Sequence, residues 1–293
     1  YDRRSWDTEH NYGIGTPFLA FNPDDGLLLG GGAVITAFGF KKSPFAARHL
    51  LIGKYAFATG GWDLKYNGEF MRALGTWDFL AEAKLQGPLY ARNFFGFGND
   101  SPYHIDKPGR SVNFIRVREQ LYGVYPALRR RLSDSFSVTF GGAAEAIEIE
   151  EVLGRLVSRD NAQIRQEVFQ MQYFGGGEMQ VNFLNADNLV NPTQGLSFNL
   201  TAGWKANLRE TGRNFAYFGG DLGIVIGGNP LVLASKAGLR HATGDFEFYQ
   251  APTLGARTNL RGYRNERFAG NTVFYHQNDL RVKLGRVKNY FLP

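Results

Sequence analysis

The feature that most constrains this chain is a period-two alternation held over unusually long segments, apolar on one face and charged on the other. Between Trp62 and Phe70, Trp62, Leu64, Tyr66 and Phe70 share one face, and Asp63, Lys65, Asn67 and Glu69 share the other. The next segment sets Trp77, Phe79, Ala81, Ala83 and Leu85 against Asp78, Glu82, Lys84 and Gln86. From Leu196 to Ala206, Leu196, Phe198, Leu200, Ala202 and Trp204 oppose Ser197, Asn199, Thr201 and Lys205. From Phe274 to Leu284, Leu280, Val282 and Leu284 oppose Gln277, Asp279, Arg281 and Lys283. Period two places alternate side chains on opposite faces of a β-strand.

A soluble sandwich also alternates, so two further features decide. These strands run to about ten residues or more, against about 5–6 in soluble sheets, and that length matches a tilted bilayer crossing. Their polar faces carry full charges while their apolar faces hold Trp, Phe and Leu, the pattern of an apolar exterior around a charged lumen. No apolar run reaches the roughly 18 residues of a membrane-spanning helix. A mean hydropathy of −0.29 is compatible with a barrel, because half of each strand faces a polar interior. The expected fold is therefore all-β, a transmembrane antiparallel β-barrel of the outer-membrane type.

Twelve strands are expected, near 11–21, 27–40, 47–58, 61–73, 76–87, 111–126, 133–147, 167–184, 195–208, 214–227, 229–241 and 271–285. Glu119 interrupts the apolar face of the 111–126 segment. Short connections fall at Lys41–Ala46, Gly75, Arg129–Leu132 and Asn185–Gln194, and long ones at 88–110, 148–166 and 242–270. Bacterial barrels put short turns in the periplasm and long loops outside. With 11–21 as the first upward strand, all three long connections lie on the outer side. Residues 1–10 form a polar lead-in, and 11–293 form the barrel.

One outer loop stands apart. Residues 254–270, LGARTNLRGYRNERFAG, carry Arg257, Arg261, Arg264 and Arg267 beside aromatics, which suits a loop that folds back and packs. Leu260-Arg261-Gly262-Tyr263 followed by Arg267-Phe268-Ala269-Gly270 resembles the arginine-glycine-aromatic sixth loop of the BamA-like outer-membrane assembly and translocation superfamily, the bacterial surface antigen barrels. Asn191-Pro192-Thr193-Gln194-Gly195 is similar to that family's periplasmic turn before the ninth strand. Asn278-Asp279-Leu280-Arg281 is similar to its twelfth strand, which carries an inward acid followed by Arg. The resemblance implies a sixteen-stranded barrel, so about four strands and a second inward Asp are expected beyond Leu284, and a periplasmic domain before the first strand. It also implies that Arg261 enters the lumen, with Asp279 as the partner available here, Gly262 allowing the tight backbone and Tyr263 packing on the wall.

The remaining signals are weaker. The chain has no Cys, which excludes a disulfide scaffold and thiolate metal sites. His10, His49, His104, His241 and His276 stand alone without HxH or HExxH spacing, so no metal and no cofactor are expected. Gly30-Gly31-Gly32 and Gly175-Gly176-Gly177 lack the strand–helix context of a phosphate cradle. Arg129-Arg130-Arg131 reads as a solvated or headgroup-contacting turn, and nucleic acid is not an expected partner. The net charge of +6 is modest for 293 residues. No Ser is marked out by its neighbours as a nucleophile, so no enzyme is expected. The expected partners are outer-membrane lipid, lipopolysaccharide and client outer-membrane polypeptides. The resemblance implies help with insertion or translocation of those clients. Two other expectations stay open: an anchor or exporter for a fused periplasmic phosphoesterase-like or patatin-like domain, and a passive pore.

Overall fold

The computed structural model describes residues 11–22, 25–39, 42–103, 111–159, 163–228 and 230–282. Among them runs one antiparallel sheet of twelve strands, each paired with its sequence neighbour. In order these are β1 (Tyr12–Asn22), β2 (Gly26–Gly39), β3 (Lys42–Ala56), β4 (Trp62–Leu74), β5 (Trp77–Asn93), β6 (Arg116–Arg131), β7 (Phe136–Ile149), β8 (Gln172–Ala186), β9 (Gly195–Asn207), β10 (Asn214–Gly227), β11 (Leu231–Gly244) and β14 (Thr272–Val282). A two-residue hairpin, β12 (Thr253–Leu254) with β13 (Phe268–Ala269), lies inside the last loop. β1 and β14 are the sheet's two edges among the described residues. The sheet curls around a polar lumen of about 840 Å³, lined by every strand from β2, through Val34, to β10, through Tyr217. The lead-in 1–10, His10, His104 and everything past Val282 lie outside the described residues.

The alternation sets the two faces. Leu29, Leu51, Leu200, Trp204, Leu222 and Leu280 point outward, each with more than two-fifths of its surface exposed. The inward rows pair their charges across strands. Arg129 on β6 bonds Glu69 on β4 and Asp78 on β5, and Lys205 on β9 meets Glu145 on β7 at 2.7 Å. Tyr275 on β14 and Arg240 on β11 both reach Asp221 on β10. Gly238 is required at its place, since a Cβ there would lie 2.4 Å from the Tyr275 ring. Polar groups on the outer face answer one another, as lipid demands. His49 bonds Tyr66 at 2.9 Å, Ser235 bonds His276 at 2.9 Å, and His241 bonds Thr272 at 2.7 Å.

Several expected boundaries move. Residues 111–126 do not start a strand at 111. Val112–Ile115 is a turn of 3-10 helix, and β6 runs from Arg116 through Arg131. The Arg129–Leu132 turn is thus strand for most of its length. Arg129 and Arg131 serve the lumen ion cluster, and Arg130 faces outward, 5.7 Å over the Trp77 ring. Glu119 interrupts no lipid face. It sits on the inward row with Val117 and Leu121, 3% exposed and bonded to Arg92. The Lys41–Ala46 turn is shorter than expected because β3 already begins at Lys42. The strands β5, β7, β8 and β11 run two to six residues further at the outer end or start later than their alternation shows, because their outer residues pack under loops instead of facing lipid. Full charges are also missing from the inward row of β1 and β2, where Ile14 pairs with Val34 and Phe18 with Gly30.

Candidate functional site

The outer ends of the barrel strands carry a second, non-periodic core. Phe94, Phe95, Phe114, Ile115, Leu156, Val157, Val168, Phe248 and Tyr249, from the three long connections, pack on Val117, Leu121, Ile147, Ile149 and Phe174 of the strands. Every one of these residues is less than one-tenth exposed. Bridging ion pairs fasten the loops to one another. Glu247 takes Arg213 at 2.6 Å and Arg165 at 3.3 Å, while Asp245 also takes Arg165. Burial pushes the Glu247 carboxyl up, against the pull of Arg165 and Arg213. This cap covers the outer ends of β6, β7 and β8.

From the cap the chain of residues 251–271 dips into the lumen. β12 pairs with β13, and between them come one helical turn, α1 (Ala256–Asn259), and the Leu260–Tyr263 tip. Asn259 holds the turn closed, accepting from the Gly255 amide at 2.8 Å and donating to the Thr253 carbonyl at 2.9 Å. Gly262 has φ +85, a conformation that a side chain would strain although there is open space around it. Arg261 places both guanidinium nitrogens on Asp279, at 2.5 and 3.0 Å, in the two-pronged geometry of an arginine–carboxylate pair. Leu260 is half-buried. Tyr263 shares a cavity with Asn93 and Arg116 of the wall. It is half-exposed, and its ring centroid lies 5.7 Å from Phe268 of the same loop.

Further attachments lie four to six residues beyond Arg261, where the local motif does not place them. Glu266 accepts from Arg92 at 3.0 Å and from the Asn93 amide at 2.7 Å, and Arg92 also holds Glu119 at 2.8 Å. Asn93 donates to the Asn265 carbonyl at 3.0 Å. Glu266 adopts φ +56, a non-glycine left-handed backbone maintained by these contacts. Burial raises the Glu266 carboxyl above the ordinary carboxylate range, with Arg92 pulling the other way. Arg267 is buried, donating to the Ser101 hydroxyl at 2.9 Å and its carbonyl at 2.8 Å. Its guanidinium lies 4.4 Å over Phe268, 5.1 Å over Phe95 and 5.7 Å over Tyr103. The one sequence signal for this box is the Phe94-Phe95-Gly96-Phe97 run in an otherwise polar connection.

At the inner end of β8 the Pro-Thr turn is ordered by its own acids and amides. Asp187 accepts from the Thr193 amide at 3.0 Å, the Thr193 hydroxyl at 2.5 Å and the Gln194 amide at 3.1 Å. Those bonds, the Thr193 hydroxyl first, hold the Asp187 carboxyl below the usual range. Asn188 accepts from the Asn191 amide at 2.9 Å. Gly195 opens β9 where a Cβ would meet the Ala186 Cβ at 3.0 Å. Arg281 reaches the Pro192 carbonyl at 3.5 Å. One cavity of about 250 Å³ is bordered by Pro192, Gly195, Arg261, Asp279 and Arg281, so the turn motif and the loop tip meet at the inner mouth. Among the described residues no group of three or more His, Cys, Asp or Glu side chains is arranged to hold a metal ion.

No protein-family model and no curated protein matches the sequence. Among solved structures, the chain superposes on BamA from Haemophilus ducreyi lacking POTRA domains 1-3 with a TM-score of 0.64 at 14% identity. That match covers 96% of this chain and 55% of the other, so the chain spans about half the length of that protein. The NanC porin gives a TM-score of 0.36 at 7% identity over 93% of this chain and 99% of its own, too low to carry an argument. The chain is an outer-membrane-type β-barrel with the BamA barrel fold.

Proposed function

We propose that this barrel assists the insertion or translocation of other outer-membrane polypeptides. The observation that carries the reading is a lumen covered at its outer end by a loop-built core and entered by an arginine loop. A steady solute pathway has no use for such a cover. The likeness of fold to BamA and the three motifs shared with the BamA-like superfamily support the same reading. Lipid, lipopolysaccharide and client polypeptides are the partners it calls for, and the loop tip at Arg261 and Asp279 is the site at which loop and wall would communicate.

The test is reconstitution. The purified full chain in liposomes should accelerate the protease-resistant folding of a urea-denatured small barrel protein, while planar bilayers show little steady conductance. No acceleration together with steady conductance would overturn the reading in favour of a pore. No acceleration with a closed barrel would leave the anchor for a fused periplasmic domain as the better account.

A further inference from the structure

Beneath the cap and above the main lumen lies a chamber of about 420 Å³. Its walls are the inward rows of strands from β5 to β11, and Tyr249 and Gln250 of the last loop also line it. Two polar atoms here lack a partner among the described residues, the Tyr249 hydroxyl and the Gln250 Nε2. Tyr249 is only 6% exposed. Buried donors left unbonded are destabilising. Burial keeps the Tyr249 phenol well above its ordinary range, so the hydroxyl is a proton donor at any physiological pH.

The charges point the same way. Four cations border the chamber against three carboxylates. Arg92 is held by Glu119 and Glu266, Lys205 by Glu145, and Arg240 by Asp221, which lies outside the chamber. Glu178 accepts from Tyr217 at 2.7 Å. Lys84 makes no ion pair with any described residue. Two buried donors, a phenol and an amide N–H, are therefore unmet, beside an ammonium that makes no ion-pair contact and that Glu119 attracts from a distance. The rest of the wall includes Leu121, Ile147 and Phe215. A cavity that sets an apolar wall segment beside polar groups lacking partners is a form small-molecule sites take.

We propose that this chamber binds a small monocarboxylate with an apolar body, its carboxylate on Lys84, the Tyr249 hydroxyl and the Gln250 amide, and its body against Leu121, Ile147 and Phe215. The charge is limited to one because a second anionic group would meet Glu119, Glu145 or Glu178. This inference stands apart from the polypeptide-assembly reading, since binding in the chamber is read without any client polypeptide.

The probes are benzoate, the neutral benzamide and the dianionic phthalate, titrated calorimetrically into the purified full chain in detergent. Benzoate should bind, with benzamide and phthalate each about tenfold weaker or more, the factor expected for one charge-assisted hydrogen bond. Lys84→Met should remove that preference for benzoate over benzamide, and Lys84→Arg should keep it, which separates loss of charge from misfolding. Tyr249→Phe should weaken benzoate severalfold and benzamide less, since its neutral carbonyl accepts the same hydrogen bond more weakly. Equal binding of benzoate and benzamide, benzoate binding indifferent to Lys84→Met, or no binding at all would overturn the proposal and assign the chamber to water only. None of those outcomes changes the liposome folding assay, so the two readings fail separately.

Discussion

The two ends of the inserted loop use one chemistry in opposite surroundings. At the tip, Arg261 meets Asp279 with both side chains substantially open to water, 59% and 32% exposed. Further along, Glu266 meets Arg92, which shares Glu119 at 3% exposure, and Arg267 is enclosed by three aromatic rings. Water screens the first pair, and such exposed bridges contribute little. The buried group is different, because removing one member strands the others in a medium that cannot solvate them. The most recognisable motif of the loop is therefore its lighter attachment. The heavier one is written in residues whose partners lie far away in the chain.

That contrast can be broken most forcefully at Arg92. Arg92→Met leaves Glu119 and Glu266 as neighbouring unpaired carboxylates and should cost about 3–5 kcal/mol in a urea folding titration. It should also expose residues 262–271 to protease. A loss no greater than that of Arg261→Ala would show the two ends to be equivalent. Next comes Arg267→Leu, which removes the cation from its aromatic box and should cost about 2 kcal/mol, the value of a desolvated cation–π contact. Retained protection at 264–271 in that variant would assign the hold to Glu266 alone.

Smaller still is the effect of pH. The folded Glu266 and Glu247 carboxyls lie above their unfolded values, so the native state binds more protons than the unfolded one in the window between. Their contribution is fully present below the unfolded value and is lost as pH rises through the folded one. Acidifying from about pH 8 to about pH 5 should hold or improve protection of the loop's outer end. Release on acidification would contradict this. Smallest is Arg261→Ala, which should free the tip, read as cleavage near 260–263, while leaving the global titration within its error. Arg261→Lys should restore the tip poorly, since an ammonium cannot span both Asp279 oxygens.

How much of this was legible depends on whether a residue's neighbours are periodic. The twelve barrel strands and the inward or outward sense of Trp62, Leu200 and Asp279 follow from a two-residue rhythm, because a strand between lipid and water has one solvent on each side. Arg261 and the Asn191–Gly195 turn were readable as local strings. Glu119 and Arg129–Arg131 were misplaced for one reason: near the strand ends the inward row packs against loops or other charges, and the lipid-and-lumen rule no longer applies there. Arg92 and Glu266 stand 174 residues apart and share no pattern in the chain. The cap core was equally hidden, because Phe94, Leu156 and Phe248 sit in irregular loops where burial follows from tertiary neighbours alone.

The cap also gives the molecule two different thermal characters. When the cap alone opens, the outward Leu, Trp and Phe of the strands stay in lipid and contribute little to heat capacity. The cap is assembled in water from Phe, Ile, Val and Leu side chains, and opening it hydrates them. It should therefore carry most of the positive heat-capacity change of that local opening, at about 0.45 cal/K/mol for each Å² of apolar surface exposed. Stability of the cap will then curve with temperature and weaken on strong cooling, while the strand belt stays nearly indifferent. Over the temperatures a bacterium meets, the cap and the wall it covers respond to different variables, one to water and the other to the thickness of the bilayer.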